Sequence, residues 1–481
     1  MKMKPISKAA TKACGAGLLL ALGGCTIVGS DYERPELGLP DTNAVRITNE
    51  EALSAANVAW FDVYDDPELR PLIELALENN LDLQQAFARI DEARARLQTS
   101  RSLFFPRIDG SLSTAPGTPQ SNSNDANFTL GLLLNWEIDL FGKIRRQIEA
   151  ARAQLLASEA AKNAVVTTVV REVAATWLTI RELQAEETII VKNIELQQEA
   201  LDLVVRLEEQ GIVSDSEVQQ ARAQVAGTQA LLPQIVQSRL IAENLLNVLL
   251  GRYPTRIDLS PFDAQRQLQG IGAYNLPQGV PSDLLARRPD VIFAEQQLAA
   301  ATATEGAAIA NRFPFATISL SGLLGRTGSN IESLFDSSSL GINSWGPNVR
   351  LPILSFGRDG GNVDIAKAQT QQALIGYRQS IQNALLEVNS SAYSYQSAQD
   401  QIGPLTVQLE AAERTRYLQD LRFRSGVVSY ISVLDAQRLV LSAELSLARA
   451  RLQRDVAFVD LYKALGGGWD IEGDMDTASS D

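Results

Sequence analysis

Between Phe128 and Leu140 every even-numbered position is apolar (Phe128, Leu130, Leu132, Leu134, Trp136, Ile138, Leu140), while the odd positions are Thr129, Gly131, Leu133, Asn135, Glu137 and Asp139. Alternation at period two predicts a β-strand with one apolar and one polar face. The pattern then changes abruptly. From Lys143 to Gln210 the chain holds neither Gly nor Pro and is rich in Ala, Leu, Glu, Gln, Arg and Val, so nothing local ends a helix. At about 1.5 Å per residue such a helix is roughly 100 Å long. That is too long to fold back inside a compact domain, and predicts the wall of something large. Val165, Val169, Val173, Trp177, Ile180 and Leu183 form one apolar stripe along it, and Val166, Val170, Ala174 and Leu178 form a second beside the first. Two adjacent stripes suit a helix packed between two neighbours, as in a helical tube, whereas a two-stranded coiled coil needs one seam.

The same pattern occurs twice. Asp82 matches Asp290, Phe105-Pro106 matches Phe313-Pro314, and Ser111-Leu112-Ser113 matches Ser319-Leu320-Ser321, each pair 208 positions apart. Beyond the strands, Phe141-Gly142 matches Phe356-Gly357, Glu172-Val173 matches Glu387-Val388, Gly211-Ile212-Val213-Ser214 matches Gly426-Val427-Val428-Ser429, and Leu250-Gly251 matches Leu465-Gly466, all 215 apart. The change of offset falls between the strands, so the second hairpin has the longer loop, GRTGSNIESLFDSSS. A constant offset over so many residues marks an internal repeat. Each half reads helix, strand, polar loop, strand, very long helix, turn, helix.

The predicted organisation is a signal segment 1–24, a Pro- and Gly-rich tether 25–58, a first repeat 59–251, a linker 252–281, a second repeat 282–466 and an acidic, Ser-rich tail 467–481. The first repeat opens with helices over 60–80 and 81–103, then a hairpin at about 106–140, a long helix 141–210 and a helix 215–250. The second carries a helix, a hairpin at about 314–355, a long helix 357–425 and a helix 430–465. In strand RIDGSLS, Ile108, Gly110 and Leu112 share one face and Asp109, Ser111 and Ser113 the other. The repeat transfers these faces, predicting Ala316, Ile318, Leu320, Trp345, Pro347, Val349, Leu351 and Ile353 outward, and Thr317, Ser319, Ser321, Asn348 and Arg350 inward. The second long helix is less regular, with Gly360-Gly361, Gly376 and Gly403-Pro404. Pro404 removes a helical hydrogen bond and predicts a bend or local unwinding, either as a hinge or as static superhelical curvature.

Four strands cannot close a barrel, and an open edge in lipid leaves backbone groups unpaired, so strands facing a membrane require several chains. The N-terminus supports a membrane reading. Met1 to Lys12 carries four lysines and no acid, a short apolar run follows, and Leu22-Gly23-Gly24-Cys25 resembles a lipobox in which Cys25 becomes the lipidated first residue. Thr26 in place of Asp resembles outer-membrane sorting. Removal of Cys14 with the signal leaves Cys25 the sole thiol, which excludes an intramolecular disulfide. The chain has no His, so it lacks the usual general base and the commonest metal ligand, and no cofactor motif replaces them. The glycine-rich GRDGGN (357–362) lacks the Gly-Lys-Ser/Thr of a phosphate cradle and falls where strand becomes helix. A net charge of −14 disfavours nucleic acid. Chemistry is therefore not the expected task, and the chain is not read as an enzyme.

Taken together, VGSDYERP behind the lipobox, WFDVYDDPELRPLIELALENNLDLQQAFARIDEARA, the FFPRI and RFPFA corners, LFGK and SFGR, LLARRPDV, and RFRSGVVSYISVLDAQR resemble the TolC-like outer-membrane channel proteins, in the lipoprotein (OprM-like) branch of multidrug efflux. The resemblance spans nearly the whole mature chain. It implies a mainly α fold with transmembrane β: a homotrimer in which a 12-stranded β-barrel in outer-membrane lipid continues as a 12-helix α-barrel in the periplasm. It also implies a passive exit duct for drugs or other small molecules, working with a periplasmic adaptor and an inner-membrane pump of RND type. A duct for type I protein secretion is the alternative within the family. By resemblance, the adaptor-docking tips are Gly211, Ile212, Val213 and Ser214 with Gly426, Val427, Val428 and Ser429, and the periplasmic constriction draws on Tyr417, Asp420, Arg422, Arg424, Asp202 and Arg206.

Overall fold

A computed structural model describes residues 27–35, 68–115, 127–256, 287–312, 317–328, 330–336, 340–350 and 355–466. The signal segment, Cys25, residues 60–67, most of the linker, Phe313-Pro314, Ala316, Leu351, Ile353 and the tail after Gly466 lie outside the described residues. The elements are α1 (Leu69–Asn79), α2 (Leu81–Ser102), β1 (Arg107–Ala115), β2 (Asn127–Ile138), α3 (Lys143–Glu209), α4 (Asp215–Gln229), α5 (Leu232–Leu249), α6 (Pro289–Arg312), β3 (Thr317–Gly328), a 3₁₀ turn (Glu332–Leu334), β4 (Leu340–Arg350), α7 (Arg358–Arg424) and α8 (Tyr430–Ala464). Both α3 and α7 are single helices of 67 residues. The expected helix 215–250 is instead two, α4 and α5. Pro233 sits in the first turn of α5, where its missing N–H costs least, and the chain restarts there. Pro404 lies inside α7 without interrupting it, so the helix continues through the position instead of unwinding there.

Two compact units are present. One comprises the described residues within 1–37, 88–160 and 292–379, the other the described residues within 38–87, 161–291 and 380–481. The first holds an antiparallel sheet in the order β1-β2-β3-β4, so β1 and β4 are its edges. Its register aligns Ile108 with Leu134, Leu112 with Leu130, Leu132 with Leu324, Trp136 with Leu320, Ile138 with Ile318, and Ile318 with Val349. Directly opposed residues share a face, so the alternating apolar positions of β1, β2 and β3 gather on one side with Trp345, Pro347 and Val349 of β4, whereas nearer the loop Leu340 and Ile342 of β4 fall on the other. The first side lies open: Ile108, Leu132 and Trp345 are 62%, 52% and 63% exposed. Ser111, Thr129, Ser319 and Ser321 fall on the other. Leu133 opposite Leu323 interrupts the polar side, and Arg326 sits on the apolar side next to the loop end of β3.

The joint from β2 into α3 is built from polar side chains. Buried Asp139 accepts from the backbone N–H of Ile144 (3.1 Å) and Arg145 (3.0 Å), satisfying donors that a helix start leaves open. Lys143 reaches back to Glu137 at 2.9 Å. In the same unit the DYERP stretch is not a free tether. Arg146 donates to the Gly29 carbonyl (3.0 Å) and pairs with Asp31 (2.8 Å), Tyr32 donates to Glu295 (3.2 Å), and Arg34 pairs with the same carboxylate (2.5 Å). Where this strap crosses α6, a Cβ on Gly29 would lie 2.7 Å from the Gly306 Cα, so two glycines permit the crossing.

In the second unit both stripes of α3 are covered. Val169, Val173, Ala174, Trp177, Leu178, Ile180 and Leu183 pack with Leu69, Ile73 and Ala76 of α1, Ala242, Leu246 and Leu249 of α5, and Val459 of α8. The repeat holds in three dimensions. Asn80 Nδ2 donates to the Leu249 carbonyl at 2.9 Å, and Arg288 Nη1 donates to the Ala464 carbonyl at 2.8 Å. These donors and acceptors are related by the same offsets of 208 and 215. Gly142, Gly211 and Gly251 all have positive φ, as do their counterparts Gly357, Gly426 and Gly466.

Candidate functional site: the paired helical turns

The two helix-helix turns that the sequence singles out are built alike and lie side by side. After α3 the Gly211 N–H bonds to the Glu208 carbonyl (2.8 Å) and the Ile212 N–H to that of Leu207 (2.9 Å); after α7 the Gly426 N–H bonds to Phe423 (2.9 Å) and Val427 to Arg422 (3.0 Å). This is the Schellman arrangement, which needs a left-handed residue at its centre, and Gly211 (φ 71°) and Gly426 (φ 72°) supply it. Ile212 and Val427 are thereby thrust outward, 65% and 70% exposed. Ser214 and Ser429 take the extended backbone of N-caps for α4 and α8.

Beneath the turns, Leu201 and Val204 of α3, Val218, Ala221 and Val225 of α4, Phe423 of α7, and Tyr430, Val433 and Leu434 of α8 form one buried cluster, with Val213 and Val428 against it. The Phe423 and Tyr430 rings meet at 5.2 Å and 56°. Burial, with a smaller contribution from the Asp420 charge, pushes the Tyr430 hydroxyl up to about 12, so it stays protonated. Polar contacts bracket the cluster. Glu217 Oε2 accepts from the Ser214 N–H (3.0 Å), while its Oε1 accepts from the N–H of Tyr430 in the other hairpin (3.3 Å). Two turns further along, Arg438 of α8 donates to Gln224 of α4 at 2.6 Å. The local role of Glu217 is legible as Ser-x-x-Glu, a capping box, but its reach to the second hairpin is not.

Of the constriction candidates, Tyr417, Asp420 and Arg424 lie at helical spacing along one side of α7. Asp420 pairs with Arg424 at 2.9 Å within that helix, and the Arg414 guanidinium lies 5.2 Å from the Tyr417 ring. Arg422 falls on a different side and is exposed. Asp202 accepts from Gln198 at 3.1 Å along α3, one turn from exposed Arg206. Within one chain the ion pairing at these residues thus runs along helices, not between them.

A second acidic group sits further along α3. Glu186 is buried and pairs with Arg449 of α8 at 2.5 Å. Burial lifts the neighbouring Glu182 well above the ordinary carboxylate range, and the charge and hydrogen bond of Glu186 add to this, against a smaller lowering by Arg449. A folded carboxyl with a raised pKa holds a proton that the unfolded chain releases. Its contribution to stability is therefore largest below the ordinary value of 4.5 and is lost as pH rises through the raised one. The apparent melting temperature of the detergent-solubilised protein should accordingly fall from mildly acid to mildly alkaline pH, and Glu182→Gln should flatten that slope.

Among the described residues no cluster of His, Cys, Asp or Glu could hold a metal ion, and no helix is long and apolar enough to cross a membrane. The family model described as outer membrane efflux protein matches residues 72–252 and 280–467. The chain is 32% identical over 459 residues to the cation efflux system protein CusC of Escherichia coli O6:H1, covering 94% of this chain and 97% of that one. It is 33% identical over 470 residues to the solvent efflux pump outer membrane protein SrpC of Pseudomonas putida, covering 94% and 97%. The solved outer-membrane channel OprN superposes with a TM-score of 0.81 at 32% identity, covering 92% of this chain and 99% of its own. Both repeats are thus accounted for, from alternating strands to paired turns, and the chain belongs to the outer membrane efflux proteins, as an outer-membrane efflux channel of TolC-like fold.

Proposed function

We propose that three copies of this chain assemble into a passive exit duct that carries small molecules from an inner-membrane pump of RND type, through a periplasmic adaptor, to the cell exterior. The observation that carries this reading is the sheet: four strands with an exposed apolar face and two edges, β1 and β4. In lipid the apolar face is at home, but the edges must pair, and pairing β4 of one copy with β1 of the next closes a twelve-stranded barrel from three chains. Catalysis has no part in this function, since energy comes from the pump. Cys25 carries the lipid in this reading. The tips Gly211 to Ser214 and Gly426 to Ser429 dock the adaptor, offering exposed Ile212 and Val427 to an apolar partner surface. Asp420, once per chain, rings the periplasmic constriction together with Tyr417 and Arg424, while Arg422, Asp202 and Arg206 set the charge around it.

The test is deletion of the gene followed by a susceptibility panel of antibiotics, organic solvents and metal-cation salts. Loss of resistance to at least one class, restored by the intact gene, supports a small-molecule duct. Unchanged susceptibility throughout, with loss of a secreted protein, would replace it with the type I secretion reading.

A further inference from the structure

We propose that Glu217 is a positioning residue that locks the two periplasmic turns of each chain into one rigid docking unit; this rests on the reading of those turns as the adaptor-docking tips. The two hairpins are close copies, yet they are not held symmetrically. At the N3 position of α4 stands Glu217, whereas the repeat-equivalent position of α8, 215 residues on, is Ser432. Ser432 is too short to reach back to its own N-cap, and α8 has no side-chain cap hydrogen bond. Its first backbone donor, the Tyr430 N–H, is taken instead by Glu217 Oε1 at 3.3 Å. The other oxygen of the same carboxylate closes the Ser214 turn at 3.0 Å. One side chain therefore satisfies a helix start in each hairpin, with both positive helix ends facing its charge. It stands over the apolar cluster that Val218 and Tyr430 share, within a few residues of Ile212 and Val427. A partner that engages both exposed aliphatics meets a preset spacing and loses less freedom on binding.

The chemistry offers a clean separation. A glutamine at position 217 has a single carbonyl oxygen. It can still cap Ser214, but it turns an amide donor toward the Tyr430 N–H. A merely local cap predicts that E217Q resembles the wild type and that only E217A is impaired; the staple predicts that E217Q and E217A behave alike. Spin labels on I212C and V427C in the detergent-solubilised full chain read the intrachain tip-to-tip distance, with labelled protein diluted into unlabelled protein. We expect one narrow distance in the wild-type background and a broad or displaced distribution in both Glu217 variants. In cells, both variants should lower export of whichever panel compound the channel handles by about tenfold, the factor carried by one hydrogen bond to a charged group. Export is normalised to heat-resistant oligomer in the outer membrane, so that poor folding is not counted. A wild-type distance distribution in E217Q would overturn the staple. A broadened distribution with unchanged export, while I212D and V427D abolish it, would overturn its role in docking and leave the tips standing. Unchanged export in I212D and V427D would instead remove the docking reading on which the proposal rests.

Discussion

Trp177→Ala is expected to destabilise the assembly by about 3–5 kcal/mol, the range for truncating a large buried aromatic, because the cavity it leaves has little freedom to collapse. The indole is 1% exposed at the meeting point of α1, α3, α5 and α8, and its neighbours Val173, Ile180 and Leu246 are themselves fully buried. It also has a polar consequence. The Arg181 guanidinium lies 4.4 Å from the ring and pairs with Glu68 at 2.7 Å, so the truncation loosens a cation that is held from two sides. Trp177→Phe retains most of the apolar volume and should lose a minor part of that amount. The measurement is the apparent melting temperature of the detergent-solubilised protein, followed by the yield of heat-resistant oligomer. A loss for alanine no larger than that for phenylalanine would show that this cluster does not hold the helices together.

The second large effect lies at the repeat-related joints. Arg288→Ala removes a buried guanidinium that donates to Asp290 (3.0 and 2.8 Å), Glu387 (2.6 Å) and the Ala464 carbonyl at the end of α8 (2.8 Å). Both carboxylates are nearly half exposed and solvent screens them, so the expected cost is about 2–4 kcal/mol, below that of a fully buried pair. Arg288→Lys should recover little, since an ammonium cannot fork to two carboxylates and a carbonyl together. In the first repeat, Asn80→Ala removes the cap that accepts from Asp82 N–H (2.9 Å) and Leu83 N–H (3.1 Å), along with the bond to Leu249, for about 1–2 kcal/mol. The same thermal measurement ranks the two. Asn80→Ala costing more than Arg288→Ala would mean that the neutral joint carries more of the fold than the charged one.

Much of the site was legible without coordinates because it depends on local rules. Gly211 and Gly426 announce left-handed turns after helices with no other stop, and Ser214 and Ser429 announce the helices that follow. The pairing of those turns was not legible. It depends on Val218, Ala221 and Val225 facing Tyr430, Val433 and Leu434, residues more than 200 positions away, and apolar periodicity does not say which stripe meets which. The same limit applies to DYERP. Its composition reads as an extended tether, yet Asp31, Tyr32 and Arg34 find partners on α3 and α6.

By itself the sequence determined the strands, the uninterrupted α3 and the twofold internal repeat, because each follows from periodicity, from the absence of breakers or from self-similarity along one chain. It also determined which strand positions are apolar, since period two admits only one such division. Only the tertiary structure decided that α1, α5 and α8 cover the α3 stripes, that Asn80 and Arg288 perform one task with different chemistry, and that a single carboxylate at Glu217 serves both turns. These are contacts between distant segments. Their energies depend on distances of a few ångströms, which no local pattern encodes.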